Sequence, residues 1–100
     1  MPARRAIFWI ADRMPDTLAH RRKRLRFRSW HRGMRDADLL LGGFADAYLE
    51  SLSERQLDRY EALLEISDAD LYDWIVGKAP VPADHDHDVM IMIRSHTLRR

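Results

Sequence analysis

The chain has 100 residues, a formal net charge of +1 and 46% hydrophobic residues, which fits one folded domain and excludes a wholly disordered chain. The absence of cysteine excludes a disulfide framework, a thiolate metal site and a cysteine nucleophile. Four Gly and four Pro are too few for a loop-rich or β-sandwich fold, and no apolar run approaches the roughly 20 residues that cross a bilayer.

Charge is distributed unevenly along the chain. Residues 1–50 carry 11 Lys/Arg against 6 Asp/Glu, whereas residues 51–100 carry 6 against 10. Eight of the basic residues lie between Arg21 and Arg35. The sequence therefore has a basic front and an acidic back, and the fold decides whether these become opposite faces.

The N-terminal stretch Met1–Arg13 lies outside the helical pattern. It resembles a signal peptide only weakly, because its apolar part, Ile7–Ile10, is short and no small-residue cleavage site follows. We expect residues 1–13 to be a flexible N-terminal extension, with Met14 as the natural start. Residues 14–100 are then expected to form one helical domain.

The first predicted helix begins at Asp16 or Thr17, either of which would cap it, and ends near Trp30. Leu18 and Leu25 lie two turns apart on one face of this helix. The residues after Leu25 also alternate as in a strand, so a strand is the competing assignment here.

The second predicted helix covers about Met34–Ser51. Its apolar residues recur at the spacing of a buried helix face, at Leu41, Phe44, Ala45, Tyr48 and Leu52. Gly42 and Gly43 lie in its middle, at a cost of roughly 1 kcal/mol each relative to Ala. They permit either a kink or the close approach of another helix, and the spacing does not distinguish the two.

Three shorter helices follow. Ser53 and Gln56 form a capping-box pair at the start of the third, and Ser67 or Asp68 opens the fourth, which Gly77 ends. The last is expected from about residue 84 to 97. The residues predicted to fill the core include Phe44, Leu57, Tyr60, Leu64, Leu71, Trp74, Ile75, Val89, Met90 and Ile93. Short connections between such helices predict an all-α fold, a single compact five-helix bundle.

The basic run Arg21–Arg28 has two interpretations. Its guanidinium groups could neutralise phosphates while Phe27 or Trp30 stacks on a base, as in an RNA- or ribosome-associated binding module. The other interpretation is a solvated helix face that pairs with the acidic second half. A nearly balanced overall charge favours the second, so no nucleic acid is expected as a partner.

The segment Asp84–Asp88 alternates Asp and His, which suggests metal ligands, but residues two apart on a helix diverge instead of converging. We therefore expect no metal site there. No serine lies in a nucleophile constellation, and no acid, base and nucleophile converge. The sequence thus predicts a protein with no catalytic residues, which is not an enzyme.

The segment Arg32–Asp36 lies at the junction of the first two helices. Gly33 permits a turn with positive φ or a close backbone approach, and Arg32 and Arg35 flank it with rigid, bidentate donors. On spacing alone this is also what an ordinary helix corner looks like, with Asp36 as a cap and the arginines solvated.

The stretch Arg28–Gly42 resembles the signature of the succinate dehydrogenase assembly factor family. These are flavinylation factors of bacteria and mitochondria, and their bacterial members were also described as antitoxin-like. The family hallmark Arg-Gly-x-x-Glu falls on Arg32, Gly33 and Asp36, where the shorter Asp replaces the usual Glu. A second block, from Leu63 to Trp74, resembles the next landmark of the family.

The resemblance implies a protein that binds the flavoprotein subunit of succinate dehydrogenase, with fumarate reductase as a further candidate, and promotes covalent attachment of FAD. It implies no stably held cofactor, since the FAD belongs to the partner. The implied location is the bacterial cytoplasm, or the mitochondrial matrix for a eukaryotic source, and we expect a monomer when free.

We expect the partner-binding surface to centre on the segment between the first two helices and to contribute little to the fold. Its predicted residues are Arg28, Trp30, Arg32, Gly33, Met34, Arg35 and Asp36.

Overall fold

Five α-helices make up most of the part of the chain that the computed structural model describes, residues 17–98. They are α1 (Leu18–Trp30), α2 (Arg35–Tyr48), α3 (Glu54–Leu64), α4 (Asp68–Val76) and α5 (Asp88–Leu98), with short 3-10 turns at Leu49–Ser51 and Ala83–His85. No strand occurs within these residues. The predicted all-α, five-helix bundle is confirmed, and the prediction for residues 1–13 lies outside the described residues.

Local side-chain chemistry sets several helix boundaries. The hydroxyl groups of Thr17, Ser53 and Ser67 each accept a hydrogen bond from a backbone N–H three residues on, as N-caps do. Gln56 returns the contact by accepting from the Ser53 N–H at 2.9 Å, which completes the predicted capping box. Gly77 ends α4 with φ of 87°, in the left-handed region that favours glycine.

Two predicted boundaries are wrong. The second helix ends at Tyr48, because the Ser51 hydroxyl donates to the Tyr48 carbonyl at 2.8 Å and the chain tightens into a 3-10 turn. The last helix begins at Asp88, not near residue 84. His87 accepts from the Met90 N–H at 3.2 Å and so occupies the capping position.

The core lies between all five helices and contains most of the predicted residues. Phe44 and Tyr60 are fully buried, and burial raises the pKa of the Tyr60 phenol. Tyr60 Oη lies 2.6 Å from the buried Ser29 Oγ, which satisfies both hydroxyls. The prediction for Trp74 fails: Trp74 is only partly buried and stacks on His85, near the end of α4, where the apolar stripe leaves the core.

The contact between α1 and α2 depends on a glycine. The Trp30 indole lies so close to the α2 backbone that a Cβ on Gly42 would come within 2.2 Å of the ring. A Cβ on Gly43 would meet only His96 Nε2, at an ordinary 3.8 Å. Gly42 is therefore explained by the close approach of α1 to α2, which the spacing alone did not distinguish from a kink.

Candidate docking surface

The turn between α1 and α2 requires a glycine. Gly33 has φ of 95° and is exposed, so it adopts a conformation that other residues rarely reach. A Cβ at this position would meet only Asp68 Oδ2, at 3.9 Å. Of the two explanations that the sequence left open, the structure supports the positive φ: Gly33 is needed for its backbone conformation, while the space outside it is open.

Arg32 points inward from this turn, and its side chain is only 8% exposed. Its Nε donates to Asp68 at 2.7 Å, and its two terminal nitrogens donate to the carbonyl groups of Leu64 and Ile66. Those carbonyls lie at the end of α3, where backbone acceptors lack helical partners. Arg32 therefore caps α3 and fastens the turn to α4, so the prediction that this segment contributes little to the fold is wrong for Arg32.

A second carboxylate fixes the backbone of the same turn. Asp38 Oδ1 accepts from the Arg32 N–H at 2.5 Å. Sequence reasoning missed this role and that of Asp68, because carboxylates in the first turn of a helix already have a sufficient explanation in the helix dipole.

Three residues of the predicted surface face outward at this turn. Gly33, Arg35 and Asp36 are exposed, and Met34 is half-buried. The side chains of Arg35 and Asp36 make no hydrogen bond or ion pair within residues 17–98. The residue before α2 is Met34, so Asp36 is not the cap of that helix. We call this exposed segment, residues 33–36, the corner.

The other two predicted residues lie elsewhere. Trp30 packs on the α1–α2 contact, and its indole N–H donates to Asp46 at 3.3 Å. Arg28 pairs with Glu65 at 2.5 Å and approaches Glu61 at 3.8 Å. Neither side chain is presented at the corner itself.

Part of the basic run is paired within the fold. Arg21 pairs with Asp58 at 2.6 Å and Glu61 at 2.9 Å, and the hydrogen bond to Asp58 is the main reason that its pKa is raised. Arg22 donates to the carbonyls of Leu49 and Leu52. Arg21 and Arg28 of the basic front thus pair with acidic residues of the second half, which agrees with the second interpretation of this run.

Two clefts flank the corner. One, of about 340 Å³, includes Phe27, His31 and Ser67; the Phe27 ring is 61% exposed and stacks on His31 with centroids 3.9 Å apart. The other is a groove of about 270 Å³ between α2, α4 and α5, with Asp36 on its rim. Sequence reasoning missed both, because each joins residues far apart in the chain.

The Asp84–Asp88 segment has structural roles. His87 caps α5, and Asp88 accepts from Gln56 and Arg59 of α3; these bonds, that from Gln56 foremost, lower the pKa of Asp88 to about 2. Within residues 17–98 no cluster of three or more His, Cys, Asp or Glu is placed to hold a metal ion. None of the helices described is both long and apolar enough to cross a membrane.

A small helical bundle that presents a rigid polar corner beside an apolar groove is typical of a docking protein. Comparison with known sequences shows to which family this chain belongs. The chain belongs to the family described as flavinator of succinate dehydrogenase, which it matches over residues 23–97. The predicted resemblance is confirmed, and so is the prediction that the chain is not an enzyme, since its relatives are named as assembly factors.

Relatives of this chain come from bacteria and from mitochondria. It is 42% identical over 69 residues to the FAD assembly factor SdhE of Acetobacter pasteurianus, covering 69% of this chain and 63% of that protein. It is 41% identical over 75 residues to the mitochondrial succinate dehydrogenase assembly factor 2 of Dictyostelium discoideum, covering 75% and 53%. The corresponding protein of Danio rerio is 36% identical over 91 residues, covering 89% and 58%. The chain thus spans between half and two thirds of the length of these relatives.

Proposed function

We propose that this protein binds the flavoprotein subunit of succinate dehydrogenase through the corner and promotes covalent attachment of FAD to that subunit. The names of its relatives support the reaction, since they refer to FAD assembly and to succinate dehydrogenase assembly. The flavoprotein subunit of fumarate reductase is a second candidate partner. The proposed compartment is the cytoplasm of a bacterium or the mitochondrial matrix of a eukaryote, and the free protein is proposed to be a monomer.

The observation that carries the proposal is the contrast between the two arginines of the motif. Arg32 is held by three acceptors inside the fold, whereas Arg35 and Asp36 face outward without partners in the described residues. A rigid base thus presents both signs of charge, which favours specific docking. Because Asp38 and Arg32 hold the backbone of this turn, little backbone entropy is lost when a partner binds.

The role of the chain in the reaction is conformational. FAD, when bound in the flavoprotein, supplies the electrophilic ring to which a histidine of that subunit becomes attached. The corner would bind the flavoprotein in the arrangement that brings these groups together and so raise the population of that arrangement. Gly33 leaves room for the approaching partner backbone, and Arg35 and Asp36 fix its orientation.

The test is reconstitution of covalent flavinylation. Purified apo-flavoprotein and FAD are mixed with the wild type or with Asp36→Ala, and covalent FAD is measured by its fluorescence in a denaturing gel. Asp36→Ala should reduce the initial rate about tenfold, as loss of a well-placed interface residue does. Asp36→Glu should preserve or increase the rate, because it restores the longer carboxylate of the family hallmark.

Matched controls separate docking from folding. Arg55 is exposed on α3, away from the corner, so Arg55→Ala should act as the wild type while Arg35→Ala is impaired. If Arg35→Ala and Asp36→Ala both support the full rate, the corner is not the partner-binding surface and the proposal fails.

A further inference from the structure

The groove beside the corner has an apolar floor. It is lined by Asp36, Leu39 and Leu40 of α2, Tyr72 and Val76 of α4, and Thr97 of α5. Leu39 is 40% exposed and Val76 is 38% exposed. Only six large hydrophobic residues within residues 17–98 are exposed to this extent, and two of them meet here. Such a cluster marks an interaction site more often than scattered apolar residues do.

The size of the groove limits what it can hold. Its volume of about 270 Å³ lies below the range of about 300–1,000 Å³ typical of small-molecule and cofactor sites. A groove of this size, open to solvent, has room for one or two aliphatic side chains of a partner protein.

The groove is continuous with the corner. Gly33 faces Asp68 at the start of α4, and the groove opens one turn further along both helices, between Asp36 and Tyr72. Successive helix residues point about 100° apart, so Asp36 turns to the groove while Arg35 turns away from it. The rim therefore carries a carboxylate that has no partner within residues 17–98.

We propose that this groove binds an aliphatic side chain from a segment of the flavoprotein that also carries a Lys or Arg next to it. The apolar floor takes the aliphatic group, and the Asp36 carboxylate takes the cation. This inference rests on the proposed function, since it names what the partner segment must contain. It assigns Tyr72 and Val76, which lie outside the Arg-Gly-x-x-Glu motif, to the interface.

Two other occupants of the groove would give different results. One is the apolar stretch Ile7–Ile10 of this same chain, and the other is a second copy of the protein. Charge at Asp36 does not exclude Ile7–Ile10, because Arg4, Arg5 and Arg13 flank that stretch. The experiment below separates all three.

The principal variant is Val76→Lys, which places a charge on the floor of the groove. The matched control is Ile91→Lys, because Ile91 is 59% exposed on α5 and does not line the groove. Binding to purified flavoprotein subunit is measured by calorimetry. Val76→Lys should raise the dissociation constant at least about tenfold, whereas the dissociation constant of Ile91→Lys should stay within about twofold of the wild-type value.

A milder variant guards against misfolding. Val76→Ser removes methyl groups without adding a charge and should weaken binding about three- to tenfold, in proportion to the lost apolar area. Thermal melts of both Val76 variants should match that of Ile91→Lys. For the cation, Asp36→Asn should flatten the dependence of the dissociation constant on salt concentration, since screening then acts on one ion pair fewer.

Each remaining outcome has one reading. If the wild type binds and Val76→Lys binds equally well, the groove inference is overturned while the proposed function stands. If the wild type does not bind the flavoprotein, the proposed function fails and the inference with it. Tighter binding by a chain that begins at Met14 would identify Ile7–Ile10 as the occupant. A dimer in sedimentation equilibrium that Val76→Lys dissociates would identify a second copy, and either result overturns the inference.

Discussion

At the scale of single residues, the two arginines of the motif differ in their environment, one being held inside the fold and the other exposed. Arg32 is the best-satisfied cation in the described part of the chain, with one carboxylate and two carbonyl groups around it. Arg35, three residues on, is exposed. The motif thus combines one residue that holds the turn in place from inside the fold with others that are exposed at the corner.

Replacing Arg32 should destabilise the fold. Arg32→Ala leaves Asp68 and two carbonyls without their donor, so the free energy of unfolding should fall by about 3 kcal/mol. Urea denaturation followed by circular dichroism measures it. Arg35→Ala is the control and should change stability by less than about 0.5 kcal/mol. Equal stabilities for the two variants would show that the Arg32 contacts contribute nothing net.

The two residues differ in how far the sequence could predict them. Positive φ at Gly33 follows from its place between two helices, and the structure has it. The role of Arg32 does not follow, because its partners lie 32 to 36 residues further along the chain. No spacing rule connects side chains at such a separation, and the groove residues Tyr72 and Val76 escaped prediction for the same reason.

At the scale of elements, the α1–α2 contact distinguishes two adjacent glycines. Gly42→Ala would drive a methyl group into the Trp30 indole, so it should cost about 1–3 kcal/mol through overpacking. Gly43→Ala meets only an ordinary contact with His96 and gains helix propensity, which should stabilise by up to about 1 kcal/mol. Chemical denaturation of both variants tests the difference in sign, and two shifts in the same direction would contradict it.

The start of α5 should respond to pH. Burial, with Arg59 second, lowers the pKa of His87, which caps the helix in its neutral form. The unfolded chain takes up that proton near the ordinary value of about 6.5. The contribution of His87 to stability is therefore fully present above that pH and is lost as the pH falls below it.

Comparison with His87→Asn isolates this effect from the other histidines. Asn keeps an oxygen that can cap the helix but does not titrate in this range. The free energy of unfolding of the wild type should fall more steeply than that of the variant as the pH goes from about 7 to about 5. Parallel profiles would mean that the cap does not depend on the charge of His87.

Helices whose ends have local chemistry were predictable. Ser53 with Gln56, Ser67 and Gly77 all act as the sequence indicates. The start of α5 was not predictable, because Asp84, Asp86 and Asp88 lie beside His87 and are also candidates for the capping position by propensity. The burial of Trp74 was overestimated because helical spacing predicts which side of a helix faces the core. It does not predict how deeply residues near the ends of the helix are buried.

At the scale of the whole molecule, the uneven charge becomes a row of ion pairs at the surface. Arginines of α1 meet carboxylates on α3 and at its C-terminal end, as with Arg21 and Asp58 or Arg28 and Glu65. Each such surface pair contributes at most about 1 kcal/mol. They neutralise part of the basic run, which leaves less positive charge for RNA.

The chain should not need its first 13 residues in order to fold. A chain that begins at Met14 should keep its circular dichroism spectrum and a melting temperature within about 4 °C of the full chain, the shift expected for a change below about 0.5 kcal/mol. A larger fall would show that Ile7–Ile10 packs on the bundle and would refute the assignment of residues 1–13 as a dispensable extension.

The anchoring of Arg32 also bears on when the surface comes into existence. Its acceptors at Leu64, Ile66 and Asp68 are made 32 to 36 residues after it, and a chain emerges from the ribosome N-terminus first. The Arg-Gly sequence is therefore synthesised long before anything can pin it in place. A nascent chain that has not completed α4 carries the Arg-Gly sequence without the contacts that hold it in place, so we expect only the completed bundle to present the proposed docking surface.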